Sequence, residues 1–405
     1  MKTGSKSKYV GDKVEFKQAE DGKGNGVFVK KGNTIINQDD VVMDIPLELC
    51  LFAKFTDDDE ASGRGVALPA EVLKSPVLKA VSSMELAMAL LFEYAKGPQS
   101  FFAPYLAILP TTFDSMPITW SNEELLLIPQ DSNSFVIFSR IADISLAYCV
   151  LCEDAATSKV VGTYENFFWG ACVVNSRQNM LPSKTGSLKK LALVPAYDMC
   201  NHDPHGTKIT TEFSWETRTY QCRAHKSFSE GEEFTIFYGP RPDLELLLYS
   251  GYVCSPPGAN EHSALILRFS IQSTPELLKI KQVLVNGIPG ITETADSNFY
   301  LLDIGGVLRD KALRAFARAA AVKTREEAQI ALKKKLTPKE DEPPLTDAEK
   351  EYCKLSLQEH QQKLENPTTT ASTLEKCRPT TIRVADELRK SNLAVLERTL
   401  TQCLS

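Results

Sequence analysis

The sequence has few of the features that are typical of secreted proteins, membrane-spanning proteins or proteins stabilised by a bound metal ion. Its ten cysteines are scattered singly apart from Cys149 and Cys152, which lie in an apolar run typical of a helix or strand of the core. It shows no signal-peptide pattern and no apolar stretch approaching about 20 residues. We therefore expect free thiols in a reducing cytosol, with no metal or redox role for the Cys149 and Cys152 pair.

An excess of basic residues is also lacking. The formal net charge is -6, whereas proteins that bind nucleic acids through phosphate contacts normally carry a basic surface. The 405 residues, 43% of them hydrophobic, are enough to bury one large core or two moderate ones. We expect two domains that do not bind nucleic acid, although a basic protein substrate stays open.

Short β-branched runs separated by turn residues predict a β region after a mobile tail at residues 1–13. These runs lie at residues 27–29, 34–36 and 41–45, and later runs with two-residue alternation lie at 209–213, 219–223 and 234–237. The glycines of residues 22–26 resemble a phosphate-binding loop, but a strand pattern follows them where such a loop opens onto a helix. We interpret them as turn glycines.

Helical patterns fill the middle and the end of the chain. Ser82 and Glu85 have the spacing of a capping box before a buried helix over 84–95, and the pattern stays mainly helical to about residue 181. Two further helix starts are indicated at 120–124 and 163–166. In the last third, helices are predicted over 311–321, 325–335, 347–364 and 381–400, separated by prolines and a threonine-rich loop.

The most informative segment is polar. Asn201 and His202 follow the apolar run 191–195 closely, where a buried polar side chain without a partner costs about 1–3 kcal/mol. Both side chains must therefore bond either to the chain itself or to a ligand. About thirty-five residues later the sequence continues with Phe237, Tyr238 and Gly239, a tyrosine at a tight turn.

Five ordered motifs together resemble the SET-domain methyltransferases of the Rubisco-methyltransferase-like class. They lie at residues 24–27 with 43–46, 174–177, 195–202, 229–239 and 245–251. The resemblance implies an α+β fold, with a SET core of small β-sheets over 14–255 and a helical insertion at about 97–181. It also implies an all-α substrate-binding domain over 256–405. Zinc-binding SET proteins carry a cysteine cluster after the tyrosine motif, and this chain has none there, so we expect no metal.

The resemblance further implies an S-adenosyl-L-methionine site. Tyr238 matches the catalytic tyrosine, whose hydroxyl faces the methyl group and sulfur, and the guanidinium of Arg177 suits the cofactor carboxylate. The expected cofactor-binding residues are Lys23, Gly24, Asn25, Arg177, Asp198, Met199, Cys200, Asn201, His202, Ser250, Gly251 and Tyr252. We interpret His202 as a hydrogen-bonded structural residue that braces the chain and not as a general base.

The residues after Arg177 bear on which nucleophile is methylated. Gln178 and Asn179 stand where lysine-directed relatives have small and aromatic residues, and an amide can hold one ring nitrogen of a histidine. With the other motifs, this run is similar to the actin-histidine methyltransferase branch, which assigns Asn179 a catalytic role and places Gln178, Asn179, Tyr197 and Arg241 in the substrate pocket. Tyr197 occupies a position where that branch commonly has tryptophan.

Three hypotheses follow. The first is an S-adenosylmethionine-dependent protein-histidine N-methyltransferase that acts on actin. The second is a protein-lysine N-methyltransferase of the Rubisco or ribosomal-protein type, and the third is a non-catalytic module that uses the SET core as a scaffold. For the first we expect a monomeric cytoplasmic enzyme, with a nuclear pool left open, that binds a protein substrate and neither nucleic acid nor membrane.

Overall fold

A computed structural model provides the structure of the chain. It describes residues 10–19, 24–32, 34–54, 65–128, 132–183, 189–271, 273–293, 299–304, 310–335, 345–366 and 369–404.

Eleven β-strands form four small antiparallel sheets in the described part of the chain. The strands are β1 (Val14–Gln18), β2 (Asn25–Val29), β3 (Val41–Pro46), β4 (Leu51–Phe52), β5 (Gln178–Pro182), β6 (Lys189–Leu193), β7 (Thr211–Ser214), β8 (Thr219–Arg223), β9 (Leu265–Ser270), β10 (Ile291–Glu293) and β11 (Phe299–Ile304). The sheets are ordered β1-β2, β3-β8-β7, β4-β6-β5 and β10-β11-β9. All their strand pairs are antiparallel.

Helices occupy the middle and the last third of the chain. They are α1 (Ala70–Leu73), α2 (Pro76–Ala80), α3 (Ser82–Ala95), α4 (Ala103–Leu106), α5 (Asn122–Leu125), α6 (Ser132–Cys152), α7 (Ala155–Val161), α8 (Tyr164–Arg177), α9 (Asp243–Ser250), α10 (Pro275–Val285), α11 (Asp310–Ala321), α12 (Arg325–Lys335), α13 (Asp347–Glu365), α14 (Ala371–Leu374) and α15 (Pro379–Leu404). The four helices predicted in the last third are confirmed as α11, α12, α13 and α15. The mixture of small sheets and helices confirms the α+β class.

The chain divides into two compact units. The first unit comprises residues 1–113 and 141–239, and the second comprises 114–140 and 240–405. This division falls after Gly239, so the boundary between 255 and 256, like the limits of the helical insertion, stays a prediction.

The first unit has a core made by three of its sheets. Val27, Met43, Phe52, Tyr220 and Phe234 are among its buried side chains, which are large and apolar and so supply most of the stabilisation from burial. Strand β5 lies at one edge of its sheet. There, Tyr220 Oη donates to the Met180 carbonyl at 3.0 Å and Trp215 Nε1 to the Pro182 carbonyl at 3.1 Å. These side chains occupy carbonyls that another strand would otherwise bind.

Several predicted details of the first unit are wrong. The N-cap of α3 is Val81 and not Ser82, and Glu85 Oε1 lies 2.5 Å from Lys190 Nζ; the side chain of Ser82 lies outside the described residues, so the capping box stays a prediction. The runs at 34–36 and 234–237 form isolated bridges, Ile36 to Phe228 and His202 to Ile236, and no regular strand. The helical pattern ends at Arg177, where β5 begins. By contrast, Thr163 caps α8 and, in the second unit, Ser121 caps α5, as the sequence indicated.

The second unit packs helices against the sheet β10-β11-β9. Its buried core includes Leu267, Tyr300, Leu302, Phe316 and Leu357, contributed by strands and helices together. The prediction of an all-α region over 256–405 is therefore wrong, because three strands lie within it. Strand β9 alternates between buried and less buried residues, which is the strand period, but runs of six residues or fewer, as in β9, β10 and β11, give few repeats of that period in the sequence.

Helix α6 is unusually apolar for its exposure. Residues 134–152 form a stretch of 19 residues with mean hydropathy 1.8, long enough to cross a membrane by length and composition alone, and 22% of it is buried. Phe135 and Leu146 are 64% and 63% exposed. The expectation that no apolar stretch approaches this length is wrong, and Cys149 is exposed on this helix where a core position was expected. The nine cysteines whose side chains the structure describes are free thiols.

Candidate active site

The polar segment at Asn201 lies beside the segment that leads to Tyr238. The Ile236 amide donates to the Asn201 carbonyl at 2.9 Å, and the Asp203 amide donates to the Ile236 carbonyl at 2.9 Å. On its other side the same segment reaches β2, where the Phe234 amide donates to the Val27 carbonyl at 2.7 Å. These backbone bonds bring together three distant parts of the sequence, two of which contain predicted cofactor-binding residues.

Tyr238 is fixed by two hydrogen bonds. Its hydroxyl donates to the Cys200 carbonyl at 2.6 Å, and its backbone amide donates to His202 Nδ1 at 3.1 Å. Because the hydroxyl proton is engaged, the lone pairs of the Tyr238 oxygen are directed away from Cys200. His202 Nδ1 accepts a hydrogen bond, so that nitrogen carries no proton and the ring is neutral. This arrangement fits the interpretation of His202 as a brace.

Arg177 is held against the buried carboxylate of Asp198. Its Nη1 donates to the Asp198 carbonyl at 2.9 Å and lies 3.4 Å from Asp198 Oδ2. The same carboxylate oxygen accepts a hydrogen bond from the Tyr105 hydroxyl at 2.6 Å. Burial raises the pKa of Asp198, and the charge of Arg177 and the Tyr105 hydrogen bond oppose that rise. The contacts with Arg177 and Tyr105 therefore offset part of the free-energy cost of burying the charged carboxylate.

Three buried polar atoms near this pair have no hydrogen-bond partner among the described residues. They are Arg177 Nε, Asp198 Oδ1 and Gln178 Oε1. A buried donor or acceptor left unsatisfied costs about 1–3 kcal/mol. One donor and two acceptors of this kind, beside a guanidinium, suit a ligand that carries both a carboxylate and an ammonium group. The amino-acid part of S-adenosylmethionine is such a group, so these residues fit the expected cofactor.

Asn201 makes a short hydrogen bond of its own. Its Nδ2 lies 2.6 Å from Glu233 Oε1. Gly26 lies against both groups, because a Cβ at that position would stand 2.6 Å from Glu233 Oε1 and 3.2 Å from Asn201 Nδ2. The side chains at 201 and 233 therefore depend on a glycine at 26.

The amide side chains proposed to select the nucleophile lie at the start of β5. Gln178 and Asn179 pair with Leu193 and Ala192 of β6. Asn179 Nδ2 donates to the Arg177 carbonyl at 3.1 Å, which leaves the amide oxygen of Asn179 as an acceptor for another group. Tyr197 is 6% exposed and packs in the core of the first unit, and burial raises its pKa.

The first unit brings together most, but not all, of the predicted site. Arg177, Asp198, Met199, Cys200, Asn201, His202 and Tyr238 are joined by the contacts above and by the approach of Arg177 Nη1 to Met199 Sδ at 3.6 Å. Gly24, with a φ of +80°, and Asn25 lie at the start of β2. Lys23 lies outside the described residues. Arg241, Ser250, Gly251 and Tyr252 belong to the second unit, and their roles stay predictions.

Two residues of this network were not assigned from the sequence. Tyr105 lies on α4, 93 residues before Asp198, and no local pattern connects the two. Glu233 lies within the motif at 229–239, but one acidic residue among three in a turn gives no sign of its partner. Among the described residues, no group of three or more histidine, cysteine, aspartate or glutamate side chains could hold a metal ion.

Known proteins resemble this chain in sequence and in fold. No family model matches it. It is 31% identical over 223 residues to the actin-histidine N-methyltransferases of Homo sapiens and Mus musculus, a match that covers 53% of this chain and 36% of theirs. The matched region spans about a third of the length of these relatives.

Solved structures give a similarity that extends over nearly the whole chain. The SET domain of LSMT bound to methyllysine and AdoHcy has a TM-score of 0.66 and 18% identity, covering 97% of this chain and 87% of that one. Rubisco LSMT bound to AdoMet has a TM-score of 0.64 at the same identity and coverage. The chain therefore has the SET-domain fold of these proteins, which confirms the fold expected from its motifs.

Proposed function

We propose that the chain is an S-adenosylmethionine-dependent protein methyltransferase that methylates a histidine side chain of actin. The observation that carries the proposal is the pair of unsatisfied buried atoms, Arg177 Nε and Asp198 Oδ1, in the segment that also holds Tyr238. The similarity to actin-histidine N-methyltransferases over 223 residues supports it independently.

Methyl transfer from S-adenosylmethionine requires little acid–base catalysis by the protein. The cofactor supplies an electrophilic methyl group, and the chain has to align a nucleophile with it and exclude water. Tyr238 suits the alignment step, because its hydroxyl proton is bound by the Cys200 carbonyl and its oxygen lone pairs face elsewhere. Arg177 and Asp198 suit the binding step, with a donor and an acceptor for the charged ends of the amino-acid group.

The choice of a histidine rests on Asn179. Because its Nδ2 donates to the Arg177 carbonyl, its oxygen is the atom that can accept a hydrogen bond from an imidazole N–H. The second ring nitrogen then keeps its lone pair for the methyl group. A histidine with a pKa of about 6.5 is largely neutral near pH 7, whereas a lysine of about 10.4 has to lose a proton first.

The partner and location belong to the same proposal. Actin is proposed because the relatives are named for it, and a cytoplasmic enzyme would meet it. A monomer without nucleic-acid or membrane partners is proposed with it; the net charge of -6 supports the absence of nucleic-acid binding alone. Tyr197 is a smaller, hydroxyl-bearing ring where that branch commonly has tryptophan, so we propose that the sequence preferred around the target histidine differs from that of the branch.

Incubation of the purified protein with labelled S-adenosylmethionine and unmethylated actin tests the proposal. We expect the label on a histidine when peptides are mapped by mass spectrometry. Label only on lysines would favour the lysine-methyltransferase alternative. Label on proteins of a cell extract but none on actin would support the methyltransferase activity and exclude actin as the substrate. A protein that does not bind S-adenosylmethionine would support the third hypothesis, the non-catalytic module.

The role of Asn179 has its own test. We expect Asn179→Phe to lower histidine methylation and to raise lysine methylation, because an aromatic side chain removes the acceptor and lines a pocket for an aliphatic chain. Met180→Phe is the matched control, since Met180 is the next residue of β5 and is 56% exposed. If both variants keep the preference of the wild type, Asn179 is not the selecting residue.

A further inference from the structure

We propose that Glu233 is a positioning residue that fixes the side-chain amide of Asn201 with its oxygen toward the α-ammonium group of the cofactor. The inference rests on the proposed function and goes beyond it by assigning a role to a residue outside the predicted site. It starts from the 2.6 Å contact between Asn201 Nδ2 and Glu233 Oε1.

The chemistry of the two groups sets the direction of this hydrogen bond. An ionised carboxylate can only accept, whereas a carboxamide has one end that donates and one that accepts. The nitrogen of Asn201 must therefore face Glu233, and its oxygen must face away. An amide without such a neighbour could present either end to a ligand.

The position of Glu233 is itself fixed by the backbone. Glu233 forms an antiparallel bridge with Phe28 of β2, and the next residue, Phe234, donates its amide to the Val27 carbonyl at 2.7 Å. Gly26 leaves room for the carboxylate, because a Cβ there would stand 2.6 Å from Glu233 Oε1. The carboxylate is therefore held between β2 and Asn201.

An outward-facing amide oxygen selects a ligand group that donates. S-adenosylmethionine carries donors at its α-ammonium group, at its adenine amino group and at its two ribose hydroxyls. The carboxylate behind the amide polarises it and strengthens its oxygen as an acceptor, which favours the charged ammonium group over the neutral amine and hydroxyls. Asn201 would then bind the ammonium group while Arg177 binds the carboxylate.

Calorimetric titration with two ligands tests this role without turnover. S-adenosylhomocysteine has the amino-acid group, whereas 5′-methylthioadenosine keeps the adenosine and lacks it. For Glu233→Ala we expect about tenfold weaker binding of S-adenosylhomocysteine and a change of less than about twofold for 5′-methylthioadenosine. For Glu233→Gln, whose amide oxygen can still accept from Asn201, we expect a loss of no more than about threefold. In turnover, KM for S-adenosylmethionine should rise while kcat at saturation stays unchanged.

Glu232→Ala is the matched control. The neighbouring carboxylate of Glu232 accepts a hydrogen bond from the Ser229 amide at 3.0 Å, away from Asn201, so both affinities should stay at the wild-type value. If Glu233→Ala does not fold, Glu233→Asp makes the same comparison, because its shorter side chain withdraws the carboxylate from Asn201 Nδ2.

The outcomes separate this inference from the proposed function. A wild-type protein that binds neither ligand overturns both. Suppose instead that the wild type binds S-adenosylhomocysteine and that Glu233→Ala lowers the affinities for the two ligands equally, or lowers neither. That result overturns only the role of Glu233.

Discussion

The two units hold their buried carboxylates in different ways. In the second unit, Glu124 is 3% exposed and both its oxygens accept hydrogen bonds, including three from Arg378 at 2.7–2.9 Å. In the first unit, Asp198 keeps one oxygen without a partner among the described residues. A fully paired carboxylate stabilises the fold, whereas a partly paired one keeps an interaction for a ligand.

The pKa values of the two groups move in opposite directions because a different effect dominates at each. Hydrogen bonds from Arg378 lower the pKa of Glu124 to about 2, whereas burial raises the pKa of Asp198. Like Glu124, Asp243 on α9 has both carboxylate oxygens hydrogen-bonded, since it accepts from Asn260, Ser263, Ser391 and the Cys254 amide. Substitutions should therefore affect stability in the second unit and ligand binding at Asp198.

The largest effect is expected at Arg378. Arg378→Ala removes the main partner of a buried carboxylate, and we expect a loss of about 3–5 kcal/mol in the free energy of unfolding, measured by urea denaturation. Arg383→Ala is the control on the same helix, because Arg383 is 62% exposed and pairs with Glu387; its loss should stay below about 0.5 kcal/mol. Equal losses of unfolding free energy in Arg378→Ala and Arg383→Ala would contradict the stabilising role of the buried pair.

A pH series should resolve the same carboxylate. The pKa of Glu124 falls from 4.5 to about 2 on folding, so its ionised form stabilises the protein above about pH 4.5, and this contribution disappears as the pH falls toward about 2. A shift of this size corresponds to about 3 kcal/mol. The difference in unfolding free energy between wild type and Glu124→Gln should shrink over this range, and a difference independent of pH would exclude the linkage.

At Asp198 we expect the opposite balance of effects. Asp198→Asn removes the charge that binds Arg177. We expect it to lower the affinity for S-adenosylhomocysteine by roughly 30-fold. It also removes the cost of a buried charge, so the free energy of unfolding should change by less than about 1 kcal/mol. Calorimetry and urea denaturation measure the two quantities. Asp203→Asn is the control, because Asp203 pairs with Lys226; a large stability loss at Asp198 with unchanged binding would reverse the assignment.

The smallest effect is expected at Tyr105. Tyr105→Phe keeps the ring and removes the hydroxyl that donates to Asp198 at 2.6 Å, which should weaken S-adenosylhomocysteine by about fivefold and cost about 1 kcal/mol of stability. Tyr164→Phe, which loses only a hydroxyl contact with Ser145, should leave the affinity unchanged. An unchanged affinity in Tyr105→Phe would mean that Asp198 does not need this support.

Local sequence patterns predicted where helices begin and end better than they predicted the long-range contacts of those helices. The limits of α12 agree with the sequence prediction, because periodicity and breakers are read within a short window. The same short window gave no sign that Glu85 pairs with Lys190, which is 105 residues away. The sheet of the second unit was missed because short strands in a helix-rich region carry a weak period, and their pairing is not local.

The sequence by itself determined the α+β class, most helices and the residue types of the site, since motifs and periodicity are local properties. The tertiary structure alone decided which oxygen of Asp198 stays unpaired, that Tyr105 supports it, and that Glu233 sets the direction of the Asn201 amide. The physical reason is that hydrogen-bond direction and desolvation depend on neighbours brought together by folding, and the Asn201 and Glu233 side chains, 32 residues apart, become partners only when their segments meet.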